Sequence, residues 1–282
     1  MPPTITLTTD FGLSDEYVGV MKGVIACRAP EARIIDLCHA VPPQDVRQAA
    51  WLLAASWRYF PPTTLHVVVV DPGVGSERRI LLLVTDQGRF LAPDNGVLTP
   101  LFTASCPKEL HLVSNEALFL PQRSATFHGR DIFAPVAAAL VTGTEPAAIG
   151  PAIPATDAVC LALPQPRLDA SSDTVEAEVV AIDHFGNLIT NCTTAELAAL
   201  AKAPAQLAVH LNGQPLAGIS RTYADAAPGE VVVLIGSRGA LEIAVNQGNA
   251  AQRLRAAIGS RVRLGPPREK IISLYKSPSG QY

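Results

Sequence analysis

The stretch LHVVVVDPGVGSERR, Leu65 to Arg79, decides the reading of the fold. Val67 to Val70 show no polar alternation, so a strand built from them is apolar on both faces. Such a strand suits the interior of a parallel sheet with helices on each side. The run stops at Asp71, turns at Pro72 and Gly73, and is followed by Arg78 and Arg79. A carboxylate therefore stands at the end of a buried strand with a guanidinium within reach.

Outward from this run, ITLTT (Ile5 to Thr9), RIIDL (Arg33 to Leu37), ILLLVT (Ile80 to Thr85) and ELHLV (Glu109 to Val113) read as further strands. Between the first three strands lie DEYVGVMKGVIACR and DVRQAAWLLAASWRYF, with apolar residues at helical spacing and Asp15 and Asp45 suited to helix starts. Strand and helix thus alternate, as in an α/β fold with a parallel, Rossmann-like sheet. After a proline-rich stretch, Pro151 to Arg167, the pattern changes to strands with Gly, Asn and Pro turns, among them TVEAEVVAID, LAVHLN, EVVVLIG, ALEIAV, RVRLG and KIISLYK. Only TAELAALAK and NAAQRLRAAIG look helical there. The boundary falls near residue 168, which gives an α/β domain over 1–167 and a smaller β-rich domain over 168–282.

Composition narrows the chemistry. The chain has 282 residues, 48% of them hydrophobic and 17% charged, with a formal net charge of -3. No uniformly basic face is available for a nucleic-acid backbone, so a small molecule is the expected partner. The five cysteines are odd in number and contain no C-x-x-C pair, against both a disulfide framework and a zinc site. No apolar run approaches the ~18 residues of a membrane span, and the N-terminus lacks a secretory pattern, so a cytoplasmic protein is expected.

In an open parallel sheet, ligands bind beyond the carboxyl ends of the strands. Asp10, Asp36, Asp71 and Asp86 all stand at or near the ends of expected strands. An Asp there is commonly only a turn former, whereas several at one edge point to a site. Neither G-x-G-x-x-G after the first strand nor G-x-x-x-x-G-K-[ST] occurs, which speaks against a dehydrogenase or a P-loop NTPase. His128, Arg130 and Asp131 open a helix in SATFHGRDIFAP, where a histidine such as His128, taken alone, is more often structural than catalytic. In the second domain, IDHFGN fits a hairpin turn, and GSRG offers a hydroxyl and a planar guanidinium suited to a carboxylate.

Six blocks, TTDFGLSDEYVGVMKG, VVVVDPGVGSERR, APDNGVL, TFHGRDIFAP, IDHFGNLITN and GSRGALEIAVNQGNAA, together resemble the S-adenosyl-L-methionine hydroxide adenosyltransferases, hydrolytic relatives of the fluorinase and chlorinase. The resemblance covers almost the whole chain. It implies an N-terminal α/β domain, a C-terminal β-barrel-like domain, and a homotrimer with active sites between subunits. It also implies hydrolysis of S-adenosyl-L-methionine to adenosine and L-methionine, with no cofactor and no metal.

By the same resemblance, Asp71, Arg78 and His128 act together on a water molecule. The halogenases carry a different residue in place of this Asp, so Asp71 separates the hydrolase from the alternative of a halogenase. A second alternative, a non-catalytic sensor of S-adenosylmethionine or adenosine, needs the pocket without these three residues. Asp10 corresponds to the acid that holds the ribose hydroxyls, and Asp183 to the acid that meets the methionine ammonium. Ser237 and Arg238 correspond to the pair that meets the methionine carboxylate. Asn187, Val245 and Gln247 match adenine-reading positions, with Tyr223 stacking nearby. Tyr17 and Gln44 depart from the pattern, standing where the fluorinase has a serine and a tryptophan.

Overall fold

A computed structural model describes residues 2–104, 107–200, 206–216 and 218–266. The expected strand KIISLYK lies outside them. The chain divides into two compact units, Met1–Leu163 and Pro164–Tyr282.

The first unit is an α/β sandwich. Its elements run β1 (Thr4–Thr9), α1 (Tyr17–Arg28), β2 (Arg33–Cys38), α2 (Val46–Ser56), β3 (Leu65–Val69), β4 (Ile80–Thr85), β5 (Gly88–Pro93), α3 (Thr99–Ala104), β6 (Pro107–Leu112), α4 (Ala134–Val141) and α5 (Pro146–Ile149). The six strands form one sheet in the order β2-β1-β3-β5-β4-β6. β1 pairs parallel with β2 and with β3, and β3 pairs parallel with β5. Asp45 caps α2 by accepting from the Gln48 backbone N–H at 2.9 Å. At α1 the cap position is Glu16, with no side-chain cap bond, so Asp15 does not start the helix as the sequence suggests.

The valine run behaves as its lack of alternation requires. Val67 and Val69 pack into a core cluster with Met21, Ile25, Phe133 and Val136, while Val68 and Val70 pack into a second cluster with Leu53, Trp57 and Phe90. β3 is therefore buried on both faces and hydrogen-bonded on both sides, by β1 and by β5. Its end is held by Asn95, whose side-chain amide donates to the Val70 carbonyl at 2.9 Å.

The direction of β4 differs from the expectation. β5, GRFLAP, inserts between β3 and β4, and β4 pairs antiparallel with both β5 and β6. Asp86 consequently sits on the β4–β5 hairpin at the opposite edge from Asp10 and Asp71, where it pairs with Lys108. Asp36 lies within β2, paired with Lys22 at 2.6 Å.

The second unit contains β7 (Arg167–Asp169), β8 (Thr174–Ile182), β9 (Leu188–Thr193), α6 (Thr194–Ala198), β10 (Ala208–Leu211), β11 (Gln214–Pro215), β12 (Ile219–Ser220), β13 (Val231–Ile235), β14 (Ala240–Val245), α7 (Ala250–Leu254) and β15 (Arg261–Gly265). Its nine-stranded sheet runs β11-β10-β15-β8-β9-β14-β13-β12, with β7 on β8, and curls into a half-barrel. One core, including Val179, Val209, Leu241, Ile243 and Val262, collects residues from strands along most of the sheet. The helical stretches are shorter than the sequence pattern suggests; α7 stops at Arg255, which takes a left-handed backbone with φ 50°. Among the described residues no helix is long and apolar enough to cross a membrane.

Candidate functional site

At the carboxyl end of β3, Asp71 meets Arg78 across the turn built by Pro72, Gly73 and Gly75. Arg78 Nε donates to Asp71 Oδ1 at 3.0 Å and Oδ2 at 2.8 Å, and Nη2 donates to Oδ2 at 2.5 Å. The pair is nearly dry, with side chains 5% and 11% exposed. Arg78 Nη2 also lies 2.7 Å from His128 Nδ1. A guanidinium has only donors, so His128 Nδ1 must accept, which puts the ring proton on Nε2 and leaves the imidazole neutral. Burial, and next the Arg78 charge, hold the His128 pKa below 6.5, against the pull of Asp71 and Asp131.

Gly75 makes this meeting possible. Its φ is 78°, in the left-handed region, and a Cβ there would stand 2.4 Å from the Ala125 carbonyl oxygen. The loop that carries Arg78 thereby presses onto the loop that carries His128. That second loop is pinned by Asp131, fully buried, which accepts from the Ser124 backbone N–H at 2.7 Å and from Arg130 Nε at 2.6 Å. A π-turn over Gly129–Phe133 follows His128 directly. The other arginine of the stretch, Arg79, serves elsewhere: its Nε donates to Asp94 at 2.8 Å, and Asp94 also accepts from the Val159 backbone N–H.

Asp10, Gln44, Asp71 and His128 line one cleft of about 280 Å³. Asp10 Oδ2 accepts from the Gln44 backbone N–H at 2.7 Å, and Gln44 holds φ 67° to deliver it. Oδ1 of Asp10 has no hydrogen-bond partner among the described residues. Tyr17 joins a three-ring cluster with Phe11 and Phe127 beside this cleft, at centroid distances of 5.8 and 5.0 Å.

In the second unit, Asn187, Tyr223, Val245 and Gln247 line a cleft of about 430 Å³, with Phe185 at its mouth, 72% exposed. Asp183 organises the adjoining loop. Its Oδ1 accepts from the backbone N–H of Phe185 and of Asn187, both at 2.9 Å, and its Oδ2 accepts from the Asn187 side-chain amide at 2.9 Å. Ser237 and Arg238 sit on the hairpin between β13 and β14, exposed and not among the residues lining that cleft. One acid here is not singled out by sequence reasoning: Glu242 on β14, 5% exposed, accepts from the Tyr223 hydroxyl at 2.5 Å. Burial and this bond push the Tyr223 pKa up to about 12. A roomier cleft of about 570 Å³, lined by Glu176, His210, Arg261 and Arg263, holds none of the expected residues. Among the described residues no group of three or more His, Cys, Asp and Glu side chains is gathered for a metal ion.

Comparison with known proteins bears on this pair of clefts. Residues 5–150 match the model of the SAM hydroxide adenosyltransferase N-terminal domain, and residues 177–263 match that of its C-terminal domain. An (R)-S-adenosyl-L-methionine hydrolase of Salinispora arenicola is 41% identical over 93% of this chain and 97% of its own length. A crystal structure of an uncharacterized conserved protein from Thermotoga maritima is 37% identical with a TM-score of 0.87, over 93% of this chain and 99% of that one. A fluorinase of Nocardia brasiliensis is more distant, 28% identical over 93% of this chain and 97% of its own length. By both domain matches and by near-full-length identity, the chain belongs to the SAM hydroxide adenosyltransferase family.

Proposed function

We propose that the chain is an enzyme that hydrolyses S-adenosyl-L-methionine to adenosine and L-methionine, by in-line attack of water on ribose C5′. The observation that carries this reading is the hydrogen-bonded series Asp71, Arg78, His128, whose two outer members line one cleft with Asp10. The leaving group is a neutral thioether released from a sulfonium, so the chemical demand falls on the nucleophile. Bulk water has a pKa of ~15.7 and is a weak nucleophile until its proton is taken or its anion is stabilised.

The three side chains divide that work. His128 cannot take the proton at Nδ1, because that lone pair already accepts from Arg78. Asp71 Oδ1 accepts only one N–H, from Arg78 Nε, and keeps a lone pair for the water proton. Arg78 stabilises hydroxide through Nη1, whose N–H groups have no partner among the described residues. His128 fixes the guanidinium plane from the other side. Asp10, with Oδ1 open, holds the ribose hydroxyls.

Asn187, Tyr223, Val245 and Gln247 read adenine, while Asp183, Ser237 and Arg238 hold the methionine end. On this reading residues 1–167 form a Rossmann-like domain that carries the water-activating residues. Residues 168–282 form a barrel-like domain that carries the adenine and methionine contacts. The working form is a cytoplasmic homotrimer in which the two sets meet between subunits, with S-adenosyl-L-methionine as substrate and no added cofactor. Asp71 favours water over halide as nucleophile, and the three-residue series favours an enzyme over a sensor.

Purified chain incubated with S-adenosyl-L-methionine in ¹⁸O-water tests the reading. Expected products are methionine without label and adenosine labelled at the 5′-hydroxyl. Label in methionine, released adenine, or 5′-chloro-5′-deoxyadenosine formed in chloride buffer would overturn it.

A further inference from the structure

Glu242 is a buried acid that the mechanism above leaves unused. β14 alternates, so Leu241, Ile243 and Val245 fill the core of the second unit while Glu242 faces the other way. Only 5% exposed, it accepts the Tyr223 hydroxyl at Oε1. Oε2 lies under the hairpin that carries Ser237 and Arg238, so close that a Cβ at Gly236 would stand 2.2 Å from it. Gly236 is what admits the carboxylate there. Oε2 has no hydrogen-bond partner among the described residues, and neither has the Arg238 guanidinium. A buried carboxylate is costly without a cation to meet it. Burial raises the Glu242 pKa, as does the neighbouring charge of Asp183, while the Tyr223 bond and Arg238 lower it; two acids and one arginine thus share this corner.

Resting on the reading that this unit holds the methionine end of the substrate, we propose that Glu242 is a second acid of the amino-acid subsite. Its Oε2 accepts the substrate α-ammonium beside Asp183 while its Oε1 fixes the Tyr223 ring. An ammonium has three N–H donors, and Asp183 already receives three N–H groups from its own loop, leaving it room for about one more. Charge points the same way. The substrate carries an ammonium, a sulfonium and a carboxylate, one net positive charge. Asp183 with Arg238 is neutral, and Glu242 supplies the matching negative charge. After hydrolysis both products are neutral overall, so the site prefers substrate to product. Glu242 is a specificity-determining residue on this view, set to require the amino group.

The test compares wild type with Glu242→Gln, which keeps the volume and an acceptor for Tyr223, and with Tyr223→Phe, which keeps the ring. Inhibition constants are measured on the full-length protein for four competitors. These are L-methionine, 3-(methylthio)propylamine, which lacks the carboxylate, 4-(methylthio)butanoate, which lacks the amine, and 5′-methylthioadenosine, which lacks the amino acid. Glu242→Gln is expected to weaken the two amines by about tenfold, the equivalent of one charge-assisted hydrogen bond. It should leave the butanoate and methylthioadenosine within twofold. Equal weakening of all four, no change in the amines, or the same amine-selective loss in Tyr223→Phe would overturn the proposal. Wild type that neither binds nor cleaves S-adenosyl-L-methionine would instead bring down the functional reading beneath it.

Discussion

Replacing Asp71 by Asn probes the centre of the proposed mechanism while keeping its shape. Arg78 now makes three N–H to O contacts with this carboxylate, at 2.5, 2.8 and 3.0 Å. An asparagine can offer one acceptor oxygen, and its amide nitrogen confronts a guanidinium that has only donors. Side-chain exposures of 5% and 11% leave little water to compensate. Removing one partner of a buried ion pair costs roughly 3–5 kcal/mol, and the one bond retained returns about 1 kcal/mol, so a stability loss of about 2–4 kcal/mol is expected. The loss of turnover is separate. Without the proton acceptor, kcat should fall roughly 10²- to 10⁴-fold, equal to about 3–5 kcal/mol in the barrier. Adenosine binding, which on the proposed reading leans on Asp10 and the second unit, should stay within a few fold. Urea unfolding, calorimetric titration with adenosine, and adenosine formation by chromatography give the three quantities independently. A kcat within threefold of wild type in a folded variant would refute the assignment of Asp71, and unchanged stability would refute the buried pair.

Three further outcomes follow from the geometry. Gly75→Ala puts a Cβ against the Ala125 carbonyl at a left-handed position, so it should part Arg78 from His128; expect kcat to drop by at least tenfold, and wild-type kcat would contradict the contact. His128, held neutral with its pKa below 6.5, gains a proton only in more acid solution, and then can no longer accept from Arg78; the acid limb of kcat/KM against pH should lie below 6.5, and a limb above that value would refute the neutral tautomer. His66, fully buried and bonded to Thr6 at 2.9 Å, has its pKa lowered by burial to about 4. Between pH 6.5 and 4 the unfolded chain takes up a proton that the folded chain refuses. Stability should therefore fall by about 3 kcal/mol as pH drops through that window, and urea midpoints with His66→Phe should show this part of the slope gone.

Much of the architecture is legible in the valine run, because only a strand covered on both faces tolerates four apolar residues in succession. Strand direction is not. ILLLVT reads the same whether parallel or antiparallel, and GRFLAP, broken by Gly, Arg and Pro, hides the strand that reverses it. Asp86 thus looks like a fourth acid at the binding edge and is instead a hairpin residue at the other end. Asp10, Asp71 and His128 reach one cleft, from segments that sequence separates by about sixty residues each, and the motifs in those segments carry the resemblance that marks them. Glu242 escapes notice for a local reason. In ALEIAV it occupies the alternate position of a strand, where a charged residue ordinarily faces solvent, and only the packing of Tyr223 and Gly236 shows it to be buried. The last turn of α7 is lost from view similarly, since an Ala-rich stretch has helical propensity well past the left-handed Arg255 that ends it.

The double burial of β3 has a consequence for how such a protein can change. Its strand is clamped by two cores and two neighbours, so it cannot slide or tilt to suit a new ligand; whatever follows Val70 is delivered to one fixed point in space. A point so fixed behaves as a socket. On the proposed mechanism, exchanging the side chain at position 71 alters what is presented to the substrate and costs the ion pair with Arg78, while the packing of the strand itself stays as it is. Novel nucleophile preferences are therefore most accessible by single replacements at the socket, followed by adjustment of the glycine turn behind it, rather than by redesign of the sheet.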